Sequence, residues 1–262
     1  MPHRRTVVIV ALCLIVGISI AFWSRTETGT QAAQDPLSAQ TPLIQRPYLP
    51  PTPTRAALPN DPASAAPAGT LLFQQHFAAA DAAAVRQTWT ALDVNPLQYD
   101  DAPARWGLYN GLLTQLWSGD LQSPRSDPTI VVTGQPTWRD YTLRAAAYPE
   151  GNMELGLVVR RQGNRFYRLR LLNDATETSA KLLLEKVVDG QATVLASQAG
   201  PGYQLYRWYN LRLSVVGSQL SAQVDDRPQL TASDASLTQG QAGLYSLAIG
   251  QLGFDNVTVT TP

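Results

Sequence analysis

An all-β fold, an antiparallel sandwich or barrel, is what the sequence predicts for everything after residue 70, and three observations predict it. Short runs of alternating apolar and polar residues recur along this stretch, among them "TIVVTG", "DYTLRAAAY", "RFYRLRLL", "YNLRLSVVG" and "QAGLYSLAIG". Gly, Asn, Asp and Pro punctuate the gaps between them. Only "AAADAAAVRQTW", residues 78–89, has the texture of a helix, and it is short.

The N-terminus precedes this pattern and differs from it. "MPHRR" leads into "TVVIVALCLIVGISIAFW", residues 6–23, an uncharged apolar run closed by Arg25. As a helix it would rise about 27 Å at roughly 1.5 Å per residue, which matches a hydrocarbon core. Arg4 and Arg5 before it orient the remainder outside the cytoplasm. Ser19 and Ala21 also offer the small residues a signal peptidase needs, so a retained anchor and a cleaved signal both stand. Either one exports the rest. Residues 24–69 carry nearly half of the 19 prolines with Ala, Thr and Gln, too little apolar surface to offset their ordering entropy. They read as a disordered, proline-stiffened linker. The expected organisation is therefore a transmembrane helix at 1–23, a linker at 24–69 and a sandwich domain at 70–262.

Composition removes several function classes. Twenty basic residues balance 20 acidic ones, so no net field draws the chain to nucleic acid. The single cysteine, Cys13, sits in the apolar run and forms no disulfide within the chain. No nucleophile elbow, phosphate loop or Cys/His metal spacing occurs, and the two histidines, His3 and His76, fall in different segments. A monomer without cofactor is expected.

Side-chain alternation sorts the strands into faces. In "VVGSQLSAQVDD", Gly217-Ser218 marks a hairpin turn, with Leu211, Leu213 and Val215 set to meet Leu220, Ala222 and Val224 in the core. Asp225-Asp226 then makes the next turn. In "LGLVVRRQGNRFYRLRLL", residues 155–172, Leu155, Leu157 and Val159 face Tyr167, Leu169 and Leu171. The opposite alternation carries Val158, Arg160, Phe166, Arg168 and Arg170. Tyr141, Leu143 and Ala145 point inward on "DYTLRAAAY", which turns Arg144 and Tyr148 out, and "AKLLLEKVV" sets Lys181 and Glu185 on one side. If these runs are neighbours in one sheet, Arg144, Tyr148, Arg160, Phe166, Arg168, Arg170 and Glu185 share an outer surface. Such a surface suits either cross-strand ion pairing in solvent or a ligand: arginine forks take carboxylate or sulfate, and rings take sugar faces.

The order "WRDYTLRAAAYPEGNMELGLVVRRQGNRFYRLRLL", "YRWYNLRLSVVGSQLSAQVDD" and "GQAGLYSLAIGQLGFDNVTVT" resembles the concanavalin A-like lectin/glucanase jelly roll. Within that superfamily it is nearest to laminin G-like domains and the 3-keto-disaccharide hydrolase domain. The resemblance covers residues 70–261 and implies two antiparallel sheets, one curved, whose concave outer face holds carbohydrate. It also implies a structural calcium near the opening strand and the Asp of the closing "FDN". Here "FQQHF" puts Gln75 and His76 where acids belong, leaving Asp255 as a half-site. The acidic Glu-x-Asp-x-x-Glu strand of related glucanases is missing, and Glu154 and Glu185 meet only if their strands pair. Three functions stand: a non-catalytic domain binding a polysaccharide or cell-surface glycan, an anionic one included; a glycoside-acting enzyme of the 3-keto-disaccharide hydrolase type; and a structural adhesion domain.

Overall fold

The computed structural model describes residues 69–77, 82–93, 105–117, 128–249 and 251–262. The apolar run 6–23 and residues 24–68 of the linker lie outside the described residues. Among those described, no helix is long and apolar enough to cross a membrane.

One short helix and fifteen strands make up the described chain. In order they are β1 (Leu71–Gln75), α1 (Ala82–Thr88), β2 (Thr90–Asp93), β3 (Arg105–Tyr109), β4 (Leu112–Trp117), β5 (Thr129–Thr133), β6 (Tyr141–Pro149), β7 (Asn152–Gln162) and β8 (Arg165–Leu172). There follow β9 (Ala180–Val188), β10 (Gln191–Ala199), β11 (Tyr209–Val216), β12 (Gln219–Val224), β13 (Leu230–Ser233), β14 (Gln241–Ile249) and β15 (Leu252–Thr260). The stretch 106–117, a single apolar run in the sequence, is two strands. Asn110 and Gly111 both take positive φ (50° and 74°), the requirement of a tight hairpin turn.

Two antiparallel sheets result. The eight-stranded sheet runs β13-β12-β11-β6-β15-β4-β3, with β1 on the edge of β15 beyond its pairing with β4. The seven-stranded sheet runs β10-β9-β8-β7-β14-β5-β2. Consecutive strands often fall in different sheets: β6 lies between β11 and β15, whereas β7 lies between β8 and β14. The expected inward sets meet in one core. Leu155, Leu157, Val159, Tyr167, Leu169 and Leu171 from one sheet pack with Tyr141, Leu143, Leu211, Leu213, Leu220 and Val224 from the other, each 2% exposed or less. Burying a side chain of this size contributes roughly 1.5–3 kcal/mol, so this layer dominates the stability.

A polar knot ties the sheets together at one end. A bulge between Val159 and Gln162 shifts the β7–β8 register, and Arg160 adopts φ 50°. Its guanidinium therefore does not join the outer row expected for it. It is buried and donates to the carbonyls of Arg139 (2.9 Å), Gly217 (2.7 Å) and Leu237 (2.8 Å) and to Asp140 Oδ1 (3.0 Å). Its backbone N–H donates to the Tyr141 hydroxyl at 2.7 Å, which in turn donates to the Gly240 carbonyl at 3.0 Å. Arg160 is a structural clamp, corrected from an expected ligand contact. Nearby, Asp234 accepts from Tyr167 (2.6 Å), Lys186 (2.7 Å) and the Ser236 N–H (2.8 Å), pinning the β13–β14 connection to β8 and β9.

Both ties have a measurable effect on stability. Arg160→Met strips the donor from one buried and two part-buried carbonyls, and a buried acceptor left unpaired costs roughly 1–3 kcal/mol, so urea unfolding should show a loss of about 3 kcal/mol. At Asp234, burial alone would raise the carboxyl pKa, but the bonds from Lys186, Ser236 and Tyr167 outweigh it and hold the value below the usual range. A carboxylate depressed in the folded state stabilises above its unfolded pKa of about 3.9 and loses that contribution as pH falls further. Asp234→Asn should lower the melting temperature at pH 7 and flatten its decline below about pH 4.

Candidate functional site

The outward alternation of the seven-stranded sheet holds the densest cluster of polar chemistry in the described chain. Its background is apolar: Ile130, Val132, Val158, Phe166, Val187 and Tyr245 form a second buried cluster on this side, flanked by Leu92 and Leu247. Into it β7 sends Glu154, β8 sends Arg168 and Arg170, and β9 sends Glu185. Register makes them neighbours. Arg168 is the Cα partner of both Val158 and Glu185, and Arg170 the partner of Gly156, whose own partner on the far side is Tyr245.

The side chains close a ring. Arg168 Nε donates to Glu185 Oε2 at 2.6 Å, and Arg170 Nη1 lies 3.4 Å from Glu185 Oε1. Arg170 Nε approaches Glu154 Oε2 at 3.3 Å without hydrogen-bond alignment. The same Glu154 oxygen accepts from the Tyr245 hydroxyl at 2.7 Å, and the Arg168 guanidinium lies over the Tyr245 ring at 4.8 Å from its centroid. Two cations thus balance two anions, with a phenol bridging the ends.

The electrostatics follow from burial. Withdrawal from water raises the Tyr245 phenol, and the facing Glu154 carboxylate raises it further, so the phenol remains a neutral donor. Burial works to lower the Arg168 guanidinium, but Tyr245, Glu185 and Glu154 more than offset it, and the group is held above its usual range. Arg168 and Glu185 are nearly enclosed, while the side chains of Arg170 and Glu154 keep 21% and 14% of their exposure. Approach from outside therefore meets Arg170 and Glu154 first. Gly156 allows this packing: a Cβ there would run into the Leu169 carbonyl of the adjacent strand.

Not all of the expected surface assembles. Arg168, Arg170, Glu185 and Phe166 share it, though Phe166 is buried among the apolar residues. Arg144 and Tyr148 do not. They lie on β6, which belongs to the eight-stranded sheet, and face the opposite exterior. There Arg144 stands across from Arg212, and Tyr148 packs on Trp208 with centroids 5.1 Å apart. Lys181 shares the outward alternation of β9 with Glu185 but spends its ammonium on the carbonyls of Asn173, Asp174 and Thr176. Tyr245 is the ring member that sequence reasoning missed. "GLYSLAIG" marks it as facing opposite to Leu244, but nothing local says that β14 lies beside β7.

Asp255 serves the backbone. Its Oδ1 accepts from the N–H groups of Asn256 (2.7 Å) and Phe77 (3.3 Å), holding β1 against the bulge where Asn256 takes φ 52°. His76 contacts Asn256 Oδ1 at 2.6 Å beside it. No group of three or more His, Cys, Asp or Glu residues suited to a metal ion occurs among the described residues.

No protein-family model matches the sequence, and no curated protein matches it. Solved structures do match in shape. The carbohydrate-binding module CBM66 from Bacillus subtilis is 20% identical, with 66% of this chain and 96% of that one covered at a TM-score of 0.51. A Bacillus subtilis protein of unknown function with a galectin-like fold is 14% identical, covering 74% and 96% at 0.52. The CBM2 module of the evolved Dit of Lactobacillus casei BL23 phage J-1 is 13% identical, covering 73% and 95% at 0.51. The chain therefore has the fold of galectin-like and carbohydrate-binding-module sandwiches, consistent with a concanavalin A-like lectin-type fold.

The ring makes Arg168 and Arg170 unequal. Arg168→Ala takes the nearer cation from the buried Glu185 carboxylate and leaves it only the 3.4 Å contact with Arg170, and breaking a buried pair from one side costs roughly 3–5 kcal/mol. Arg170→Ala acts at a more exposed position and should cost about 1 kcal/mol or less. Chemical denaturation of the two variants checks the contrast.

Proposed function

We propose that this chain is an extracytoplasmic, membrane-tethered, non-catalytic domain that binds carbohydrate through the outer face of the seven-stranded sheet. The observation that carries the reading is the Tyr245–Glu154–Arg170–Glu185–Arg168 ring set in an apolar sheet face. Binding sites for small ligands combine apolar walls with a few oriented polar groups. A sugar needs that combination, since its C–H faces seek apolar surface, offered here by the partly buried Leu92 and Leu247 flanking the buried cluster, while adjacent hydroxyls seek planar donors and acceptors. Arg170 and Glu154 offer both at the solvent edge of the ring. The sandwich fold supports the reading, because structures of this shape include a carbohydrate-binding module and a CBM2 module. The tether rests on residues 6–23, whose length and basic flank suit a membrane anchor.

A glycan array probed with the full chain in a non-ionic polyoxyethylene detergent tests this directly. Retention of a defined glycan class is the expected result, and an array without retained glycan overturns the reading. On an affinity gel of the retained polysaccharide, Arg170→Gln should weaken retention at least tenfold with little change in melting temperature. Reducing-sugar release from the same polysaccharides, abolished by Glu154→Gln, would instead assign the ring to a glycoside-acting enzyme of the 3-keto-disaccharide hydrolase type.

A further inference from the structure

The other exterior, on the eight-stranded sheet, carries a feature that ring chemistry does not explain. Arg144 on β6 and Arg212 on β11 are direct Cα partners with both side chains on the outward alternation. Like charges directly opposite each other across a strand pair are destabilising. A carboxylate on the next strand would relieve such a pair, as Glu185 does for Arg168. Here the next outward residues are Gln223 on β12 and Thr258 on β15. Among the described residues, neither guanidinium forms an ion pair. Arg144 Nη1 and Arg212 Nε are shielded from solvent and meet no acceptor.

The surroundings leave room for one. A hollow of about 170 Å³ opens beside the pair, lined by Arg144, Asn210, Arg212, Gln223, Asp225 and Asp226. A water molecule occupies about 30 Å³ in the liquid, so the hollow accommodates a group of several heavy atoms. Of its two carboxylates, Asp225 is turned to other work and Asp226 lines the hollow from the exposed turn. Asp225 Oδ1 accepts the Asn210 N–H at 2.8 Å and Oδ2 faces Arg207 at 3.5 Å. Asp255, across from Ala146 on β15, holds backbone N–H groups. Burial, and then the charge of Arg212, hold the Arg144 guanidinium below its usual pKa, the direction a missing counter-charge produces.

We propose that Arg144 and Arg212 form an oxyanion-binding site on the eight-stranded sheet, taking a carboxylate or sulfate group that is either free or carried on an acidic sugar. A guanidinium fork suits such a group bidentately, and the pairing of β6 with β11 sets two of them side by side. An anion between them converts the cross-strand repulsion into two attractions. The same outward alternation continues along β6 to Tyr148, whose ring packs on that of Trp208, the residue just before β11, about 13 Å further on at roughly 3.3 Å per residue. Trp208 is half-buried and the neighbouring Tyr206 is 63% exposed, so aromatic surface is open at that end for a sugar attached to the anion.

The test uses the full chain, labelled with 15N-arginine in a polyoxyethylene detergent and titrated at constant ionic strength against chloride. Inorganic sulfate, acetate and glucuronate are the probes, with glucose as the uncharged control. Saturable shifts of the Arg212 Nε–H signal with any of the anions, weakened at least tenfold by Arg144→Gln, are the expected result. A tighter midpoint for glucuronate than for acetate identifies the carrier as an acidic sugar; equal midpoints identify the free oxyanion. Linear shifts that Arg144→Gln leaves unchanged overturn the site. As a second readout, Arg144→Gln and Arg212→Gln should each melt no lower than the wild type in chloride, since each removes a repulsion, and each should lose the extra stabilisation that sulfate gives over chloride. Equal sulfate stabilisation in wild type and both variants also overturns it. Both variants lie on the sheet opposite Arg170, so a failure here and a failure of the glycan array are separate results.

Discussion

Two sheets can face each other only if each strand gives one alternation of its side chains to the gap between them. That constraint governs this molecule. Leu155, Leu157 and Val159 on β7 and Tyr141, Leu143 and Ala145 on β6 all fall inward, although the two strands sit in different sheets. Once the inward set is spent on the core, the outward set is free to carry chemistry. The outward residues are therefore where the two exteriors differ: a neutralised ring in an apolar field on one side, an uncompensated arginine pair in a polar field on the other.

The ends of the sandwich obey a different constraint. Where strands stop pairing, backbone carbonyls lose their partners, and a buried one must find another donor. Arg160 meets that demand by turning its guanidinium toward the Arg139, Gly217 and Leu237 carbonyls, which lie on connections from both sheets. A left-handed backbone and a bulge are what place it there, and both cost energy that the surrounding bonds must offset. Tyr167 and Lys186 do the same work for the β13–β14 connection through Asp234. These polar ties cross between layers that otherwise meet only through hydrocarbon, and so they limit sliding of one sheet over the other.

Arginine on a strand thus has three fates here, decided by its neighbours rather than by its own chemistry. Arg160 is consumed by carbonyls, Arg168 by a glutamate and a phenol ring, and Arg144 faces another arginine. The first is architecture. The second is a preorganised polar array whose geometry is set before any ligand arrives, which reduces the ordering cost of binding. The third is a standing repulsion that only a further charge relieves.

Much of this was readable in the chain alone, for a plain reason. Alternation is local, so each residue's side of its strand follows from its immediate neighbours, and the inward sets of β6, β7, β8, β11 and β12 were all legible along with the Gly217-Ser218 and Asp225-Asp226 turns. Strand order is not local. Residues 141–149 and 152–162 are consecutive runs, yet β6 pairs with β11 and β15 and β7 with β8 and β14, so Arg144 and Tyr148 left the surface on which adjacency in sequence had placed them. The bulge at Arg160 was equally invisible, because one extra residue reverses the facing of every later residue in its strand without altering composition. Away from that bulge, which side of its strand a residue occupies was the sequence's to determine; which outward residues became neighbours was decided only by tertiary pairing, since partners such as Tyr245 and Glu154, 91 residues apart, meet through long-range hydrogen bonding between strands.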